Sequence, residues 1–352
     1  MRRLLSTQAL APKVVFSGIQ PTGIPHIGNY VGALRQWAQF QQKEPDAKLL
    51  YSLVDLHAIT VPQARDQFRR WRRESLASLL AIGLNPERCT IFYQSSVPAH
   101  AELMWILSCT ASFGYLSRMT QWKQKLNLPS NADLDGRPVG SRLKLGLFSY
   151  PVLQAADILV HRATHVPVGD DQKQHLEFAR ECVTNFNHAY GPLLIEPQTI
   201  TPTVHRIMSL TDPTTKMSKS HKTERSRILI TDKPDDIKAK LASAVTDSIP
   251  GISYDPAARP GISNLLDILS TFDALQRTPS QLAQEYSDLH PKKLKEMVSD
   301  AVITGLDGVR ARFLELLEGD GKYLDFVEKD GTRKAIQSAE ETMCLVKEAI
   351  GF

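Results

Sequence analysis

The stretch that most constrains the 352-residue chain runs from Val14 to Asn29. Val14, Val15 and Phe16 form an apolar run that reads as a buried strand. Gly18, Pro21 and Gly23 then break it, and from Gly28 onward Tyr30, Val31, Leu34 and Trp37 recur at helical spacing. Strand, glycine turn and helix start make a natural anion site, because unpaired backbone N–H groups and the positive end of the helix dipole face the ligand. His26 and Asn29 add donors able to meet phosphate oxygens, and Gly28 permits close backbone approach. Two familiar phosphate loops are excluded. Gly18 and Gly23 have P-loop spacing, but Ile24-Pro25 stands where Lys followed by Ser or Thr is required. No G-x-G-x-x-G occurs in this stretch, so the dinucleotide fingerprint is absent.

A polyphosphate on that turn calls for mobile positive charge. Lys216-Met-Ser-Lys-Ser220 supplies two lysines and two serines around a single apolar residue. Lysine is a point charge on a flexible stem, suited to following phosphate charge.

Hydrophobic residues make up 42% of the chain and charged residues 23%, as in an ordinary soluble globular protein of one large or two medium domains. The net charge of +4 permits a nucleic-acid partner without requiring one. No apolar run approaches the ~20 residues needed to cross a bilayer, so no membrane partner is expected. Cys89, Cys109, Cys182 and Cys344 form no C-x-x-C pair, which argues against a structural zinc site and suits a reducing compartment. Met1 to Leu10 carries two arginines, Ser6 and Thr7 and no acid, the composition of a mitochondrial presequence; residues 1–13 are read as that or as a tail.

Further residues stand out in chain order. Leu49 to Leu56 reads as a second strand with His57 at its end, either a ligand group or a structural histidine. Asp66 to Ile82 reads as an amphipathic helix stopped at Gly83. Its polar side carries Arg69, Arg70, Arg72 and Arg73, a solvated face or a contact for nucleic-acid phosphates. Thr90 to Gln94 reads as a third strand. Ala99 to Ser112 reads as a helix apolar enough for the core or a subunit interface. Leu126 to Pro138 is loop chemistry, and Tyr150-Pro151 is expected to open the next helix. On that helix Asp157 sits among Ala155, Ala156, Ile158 and Leu159, where an acid must be paired with a cation or accept hydrogen bonds. Thr164 to Val168 reads as a strand followed by Gly169, Asp170, Asp171 and Gln172. Those acids either cap the helix that follows or bind a ribose or an amine. Arg206 to Leu210 reads as the last strand. Beyond it Pro234, Pro279 and Pro291 suit first turns of helices.

The turn ending His26-Ile-Gly-Asn29 and the downstream Lys216-Met-Ser-Lys-Ser220, in this order, resemble the two signatures of the class I aminoacyl-tRNA synthetases. Ser17-Gly-Ile-Gln-Pro-Thr-Gly23, Val54-Asp-Leu-His-Ala-Ile-Thr60, Gln154-Ala-Ala-Asp-Ile-Leu159 and Val166-Pro-Val-Gly-Asp-Asp-Gln172 are similar to the tryptophanyl-tRNA synthetases of bacterial and organellar type, from about Val14 to Phe352. The resemblance implies an ATP site over Gln20, Pro21, Thr22, Gly28, Asn29, Lys125, Gly169, Asp170, Asp171, Ile207 and the segment Lys216, Met217, Ser218, Lys219 and Ser220. It implies a tryptophan site with Asp157 accepting from the indole N–H and Tyr150 and Gln172 near the ammonium. His26, Asn29, Lys216 and Lys219 would be the catalytic groups. No metal site of the protein's own is implied, Mg²⁺ being held mainly by ATP. Partners would be ATP, L-tryptophan, tRNA(Trp) and a second copy of the chain in a homodimer, in the mitochondrial matrix.

The expected architecture is therefore α/β: a Rossmann-like parallel-sheet nucleotide-binding domain over residues 14–210, and an all-helical region over 211–352 bearing the lysine loop and contacting the tRNA anticodon. The expected reaction is attack of the tryptophan carboxylate on the α-phosphate of ATP, then transfer to tRNA. Two other readings remain open from sequence: an adenylyl-transferring enzyme that uses no tRNA, and a catalytically idle RNA-binding relative.

Overall fold

A computed structural model describes residues 12–126, 128–129, 143–169, 172–200, 206–219, 221 and 223–352. The strands β1 (Val14–Ile19), β2 (Lys48–Leu53), β3 (Thr90–Tyr93), β4 (His165–Pro167) and β5 (Gln198–Ile200) form one parallel sheet in the order β3-β2-β1-β4-β5. Val15, Leu49, Tyr51 and Ile91 point into one apolar cluster, and Phe16, Leu50 and Phe92 point into another. A parallel sheet needs both faces covered, and the period of two along each strand supplies apolar residues to both. One face is covered by α2 (Arg35–Lys43) and α4 (Arg65–Ala81). The other is covered by α5 (Ala99–Ser108), α8 (Leu145–Leu159) and α9 (Lys173–Tyr190). Strand order reverses between β1 and β4, and in open parallel sheets that crevice is where ligands bind.

Short elements lie between these. α1 (Ile27–Asn29) runs into one turn of π-helix (Tyr30–Leu34) and then α2. α3 (Asp55–Ala58) follows β2, and α6 (Phe113–Arg118) and α7 (Gln121–Lys125) follow α5. Past Leu210 come α10 (Pro234–Ala242), α11 (Pro260–Phe272), α12 (Pro279–Glu285), α13 (Pro291–Gly305), α14 (Val309–Glu318) and α15 (Lys322–Ile350). Proline occupies the first turn of α10, α11, α12 and α13, where its missing N–H costs nothing. Gly308 and Gly321 take left-handed conformations (φ 76° each) that set α14 and α15 off from what precedes them.

Two sequence expectations change. The fifth strand is Gln198–Ile200, not Arg206–Leu210. Three residues at a sheet edge carry too little alternation to be read from sequence. Met208 instead makes an isolated antiparallel bridge with Lys216. Pro151 lies inside α8 rather than opening it. The helix forgoes one ladder bond, and burial of Leu147, Phe148, Val152 and Ala155 outweighs the loss. The helices after Thr211 pack into more than one apolar cluster. α10 through α13 pack with Ile207, Leu210 and Met217. α14 and the start of α15 join the cluster on one sheet face, and Ala335, Ala339, Met343 and Val346 of α15 join the other. α15 lies against β3 so closely that a Cβ at Gly331 would collide with the Ile91 carbonyl oxygen.

That packing also revises the arginine face of α4. Arg73 binds Asp325 at 2.9 Å and the Gly321 carbonyl at 3.2 Å. Arg72 lies 3.2 Å from Asp55 and its guanidinium 4.0 Å from the Tyr93 ring centroid. These two secure α15 and α3, which leaves Arg69 and Arg70 as the exposed pair.

Candidate active site

His26 caps the short α1 reciprocally with Asn29. The Asn29 N–H donates to His26 Nδ1 at 3.3 Å, and Asn29 Oδ1 accepts from the His26 N–H at 3.2 Å. The imidazole folds over Gly28, where a Cβ would sit 2.9 Å from the ring. The glycine is therefore required by the cap as well as by any ligand. Burial, and then the charges of Lys219, Lys216 and Arg227, push the His26 pKa down to about 3, so the ring is neutral at physiological pH. With Nδ1 accepting, the proton of the neutral ring belongs on Nε2.

The lysine segment reaches this turn across 196 residues of sequence, where Lys219 Nζ donates to the Gly23 carbonyl at 2.8 Å. The chain beyond it holds it there. The Ile27 N–H donates to the Ile228 carbonyl at 2.9 Å, the Ile230 N–H to the Pro25 carbonyl at 3.0 Å, and His26 bridges Leu229 antiparallel. On its other flank the Met217 N–H donates to the Ile207 carbonyl at 3.1 Å. Asn264 of α11 clamps Met208 by accepting from its N–H (2.8 Å) and donating to its carbonyl (3.1 Å). Burial lowers the Lys219 pKa to about 8.

A cleft of about 570 Å³ opens at the crevice between β1 and β4. Of the residues expected in a site, Gln20, Gly28, Asn29, Lys125, Tyr150, Asp157, Gly169, Gln172, Ile207 and Lys216 line it. His26, Pro21, Thr22, Met217, Ser218 and Lys219 do not line it. Met217 is buried against Ile207 and Leu210 as a packing anchor for the loop. Asp170, Asp171 and Ser220 lie outside the described residues. A larger cavity of about 1010 Å³, lined by Lys238, Asp247, Lys292 and Glu296, gathers none of the expected residues.

Asp157 closes the inner end of the cleft. Its carboxylate accepts from His57 Nε2 (2.8 Å), His100 Nδ1 (2.6 Å) and Gln94 Nε2 (2.7 and 2.9 Å to the two oxygens). Among the described residues neither Arg nor Lys, the partners considered from sequence, pairs with it; the partners are two histidines and an amide. Burial alone would raise its pKa, but the hydrogen bonds from His100 and His57 more than offset this and hold it below the usual carboxylate range. Each oxygen thus has two partners, and the longer of the two Gln94 contacts, 2.9 Å to Oδ2, is the one an incoming donor would displace. Tyr150 donates to Gln121 Oε1 at 2.8 Å, lies 2.9 Å from His175 Nε2, and has Lys125 Nζ 4.7 Å from its ring centroid. Burial raises the Tyr150 pKa and lowers that of Lys125. Gln154 donates to Gln172 Oε1 at 3.2 Å.

Sequence reasoning passed over Gln94, His100, Gln121, His175 and Asn264. Gln94 directly follows β3, so the strand-end rule that drew attention to His57 reaches it too. His100 and Asn264 act across elements distant in sequence, and neither has a local signal.

The cleft therefore brings together a phosphate-type turn, the loop lysine Lys216 and a buried acceptor, with Lys219 held against the turn at Gly23. The family described as tRNA synthetases class I (W and Y) matches residues 8–307, and the chain belongs to that family. The mitochondrial tryptophan–tRNA ligase of Schizosaccharomyces pombe is 44% identical over 98% of this chain and 97% of its own length. The tryptophan–tRNA ligase of Clostridium tetani is 42% identical over 97% and 96%. Among solved structures, the tryptophanyl-tRNA synthetase of Mycoplasma pneumoniae superposes with a TM-score of 0.84 at 29% identity, covering 97% of this chain and 98% of that one. That of Campylobacter jejuni, solved with ADP and tryptophan, gives 0.76 at 30% identity over 96% and 100%.

Proposed function

We propose that the chain works as a tryptophan–tRNA ligase, using ATP to activate L-tryptophan and passing it to tRNA(Trp). The observation that carries this is the docking of Ile228–Ile230 against Pro25–Ile27. It brings Lys216 to the cleft and Lys219 to the helix-start turn, with Asp157 at the cleft's far end.

In the first step a carboxylate oxygen of tryptophan attacks the α-phosphorus in line, the bond to the bridging oxygen breaks, and pyrophosphate leaves. The carboxylate is already ionised, so no general base is needed. The work is orientation and neutralisation of charge on the departing group. Asn29, whose carbonyl oxygen is occupied by His26, presents its Nδ2 donor to phosphate, and neutral His26 donates from Nε2. Lys219 exchanges the Gly23 carbonyl for a phosphate oxygen, which restores its full charge. Lys216 and the Mg²⁺ carried by ATP share that role. Ile207, held by the Asn264 clamp on its neighbour, flanks the base, with Gln20, Pro21, Thr22, Lys125, Gly169, Asp170, Asp171, Met217, Ser218 and Ser220 completing the nucleotide site. Asp157 takes the indole N–H; Tyr150 and Gln172 lie toward the ammonium. In the second step a hydroxyl of the terminal adenosine of tRNA attacks the carbonyl carbon and AMP leaves.

Outside the cleft, α10 to α13 form the anticodon-facing region. Trp105, Phe113 and Leu145, at 72%, 65% and 78% exposure, belong to the surface that a homodimer covers. The protein acts in mitochondria, in the matrix, which accords with the mitochondrial relative and the arginine-bearing N-terminus.

Tryptophan-dependent ATP–pyrophosphate exchange followed by charging of tRNA tests this. Both activities are expected. Exchange without charging would indicate an adenylyl-transferring enzyme, and neither activity would indicate an idle RNA-binding relative.

A further inference from the structure

Behind Asp157 a line of polar groups crosses the dry core. His100 Nδ1 meets Asp157 at 2.6 Å, and His100 Nε2 faces His161 Nε2 at 3.3 Å. His161 Nδ1 lies 3.2 Å from Ser338 Oγ on α15, and Lys48 Nζ, at the start of β2, donates to Ser338 Oγ at 2.9 Å. His100, Asp157 and His161 are all 2% exposed or less, and the rings of Phe16 and Phe92 wall the two imidazoles at 5.5–5.8 Å.

Donor and acceptor counting fixes the direction of this line. The Lys48 ammonium only donates, so Ser338 accepts from it and its own hydroxyl hydrogen is left for His161 Nδ1. Burial above all pushes His161 well below the ordinary histidine range, so it carries a single N–H. With Nδ1 accepting, that N–H is on Nε2 and points at His100 Nε2, which therefore accepts. His100 then holds its proton on Nδ1 and donates it to Asp157. In the opposite sense Ser338 would accept from both Lys48 and His161, and its hydroxyl hydrogen would be stranded in the core.

We propose that Lys48, Ser338, His161 and His100 form a one-way hydrogen-bond relay that fixes the orientation and ionised state of Asp157, making His100 a positioning residue for side-chain selection and coupling α15 to that choice. None of the four touches substrate. The proposal deepens the reading of Asp157 as the indole acceptor and rests on it.

Two measurements on the full-length enzyme test it. In protein carrying ¹⁵N-histidine, His100 is expected as the Nδ1–H tautomer and His161 as the Nε2–H tautomer. Ser338→Ala should shift the His161 Nδ1 signal. Either ring in the other tautomer overturns the proposal, and this readout needs no activity. The second measurement is the preference for tryptophan over its benzothienyl analogue, which has sulfur in place of the N–H, in pyrophosphate exchange. Asp157→Ala should abolish the preference; if it does not, the reading of Asp157 itself fails. Given that loss, His100→Leu should cut the preference by about tenfold or more, with KM for ATP held within about twofold. His100→Asn, which keeps a donor near Nδ1, should recover most of it, and Ser338→Ala should show a smaller loss. A wild-type preference in both His100→Leu and Ser338→Ala, with Asp157→Ala defective, overturns the relay and leaves the acceptor reading intact.

Discussion

Two side chains at the phosphate end have ionisation set by where they are placed. Lys219 is lowered to about 8 by burial. In the nucleotide-free enzyme its charge fades as pH rises through 8, so kcat/KM for ATP should fall on that alkaline limb. Lys219→Arg should push the limb to higher pH; an unmoved limb would detach Lys219 from the nucleotide. His26 works in the opposite range. Its folded pKa of about 3 lies below the ordinary 6.5, so between those values the unfolded chain takes up a proton that the folded chain refuses. Stability is therefore fully present above pH 6.5 and lost as pH falls toward 3. His26→Gln should make the loss between pH 7 and pH 5 smaller by about 2 kcal/mol, measured from urea midpoints. An equal loss in both proteins would show that the ring is not buried neutral.

Among elements, the contact between α15 and β3 is the closest-fitting. Gly331 stands against the Ile91 carbonyl with no room for a methyl group, and α15 spans 29 residues over both apolar clusters. Gly331→Ala should cost about 1–3 kcal/mol of stability by denaturant unfolding, since overpacking must push the helix off the strand. A cost near zero would mean the helix shifts freely. Elements with strong local patterns were legible in the sequence: β3 and α4 fall within one residue of expectation, helices start at Pro234, Pro279 and Pro291 as expected, and β1 and β2 start within one residue although their ends differ by three. β5 was not, because three residues with a single hydrophobe carry no period. The fate of Arg206–Leu210 was not legible either, because its partners are the lysine segment and Asn264 of α11. Pairing of that kind is tertiary, with no mark in local composition.

At the scale of the whole molecule, the two signature segments were visible separately, and their joining by Ile228–Ile230 was not. The sequence also suggested that Asp157 needs partners, yet those partners come from three other elements. Burial demands satisfaction of a charge without naming who provides it. The same limit applies to Arg69, Arg70, Arg72 and Arg73 of α4, two of which the fold spends on α15 and α3. If tRNA phosphates are contacted there, Arg69→Ala with Arg70→Ala should lower the salt slope of tRNA binding by about 1–2. Salt titrations giving the wild-type slope would leave this face merely solvated. A fluorescent reporter behind residues 1–30 should enter mitochondria, and diffuse cytosolic signal would reject the proposed address.

The central claim is that loop lysines follow charge onto departing pyrophosphate while the amino acid is held elsewhere. The most direct measurement is kcat of Lys219→Ala in tryptophan-dependent ATP–pyrophosphate exchange, read beside its KM for tryptophan. The expected result is kcat lower by roughly 10²–10³ with KM for tryptophan nearly unchanged. A kcat that holds while KM for tryptophan rises would contradict it.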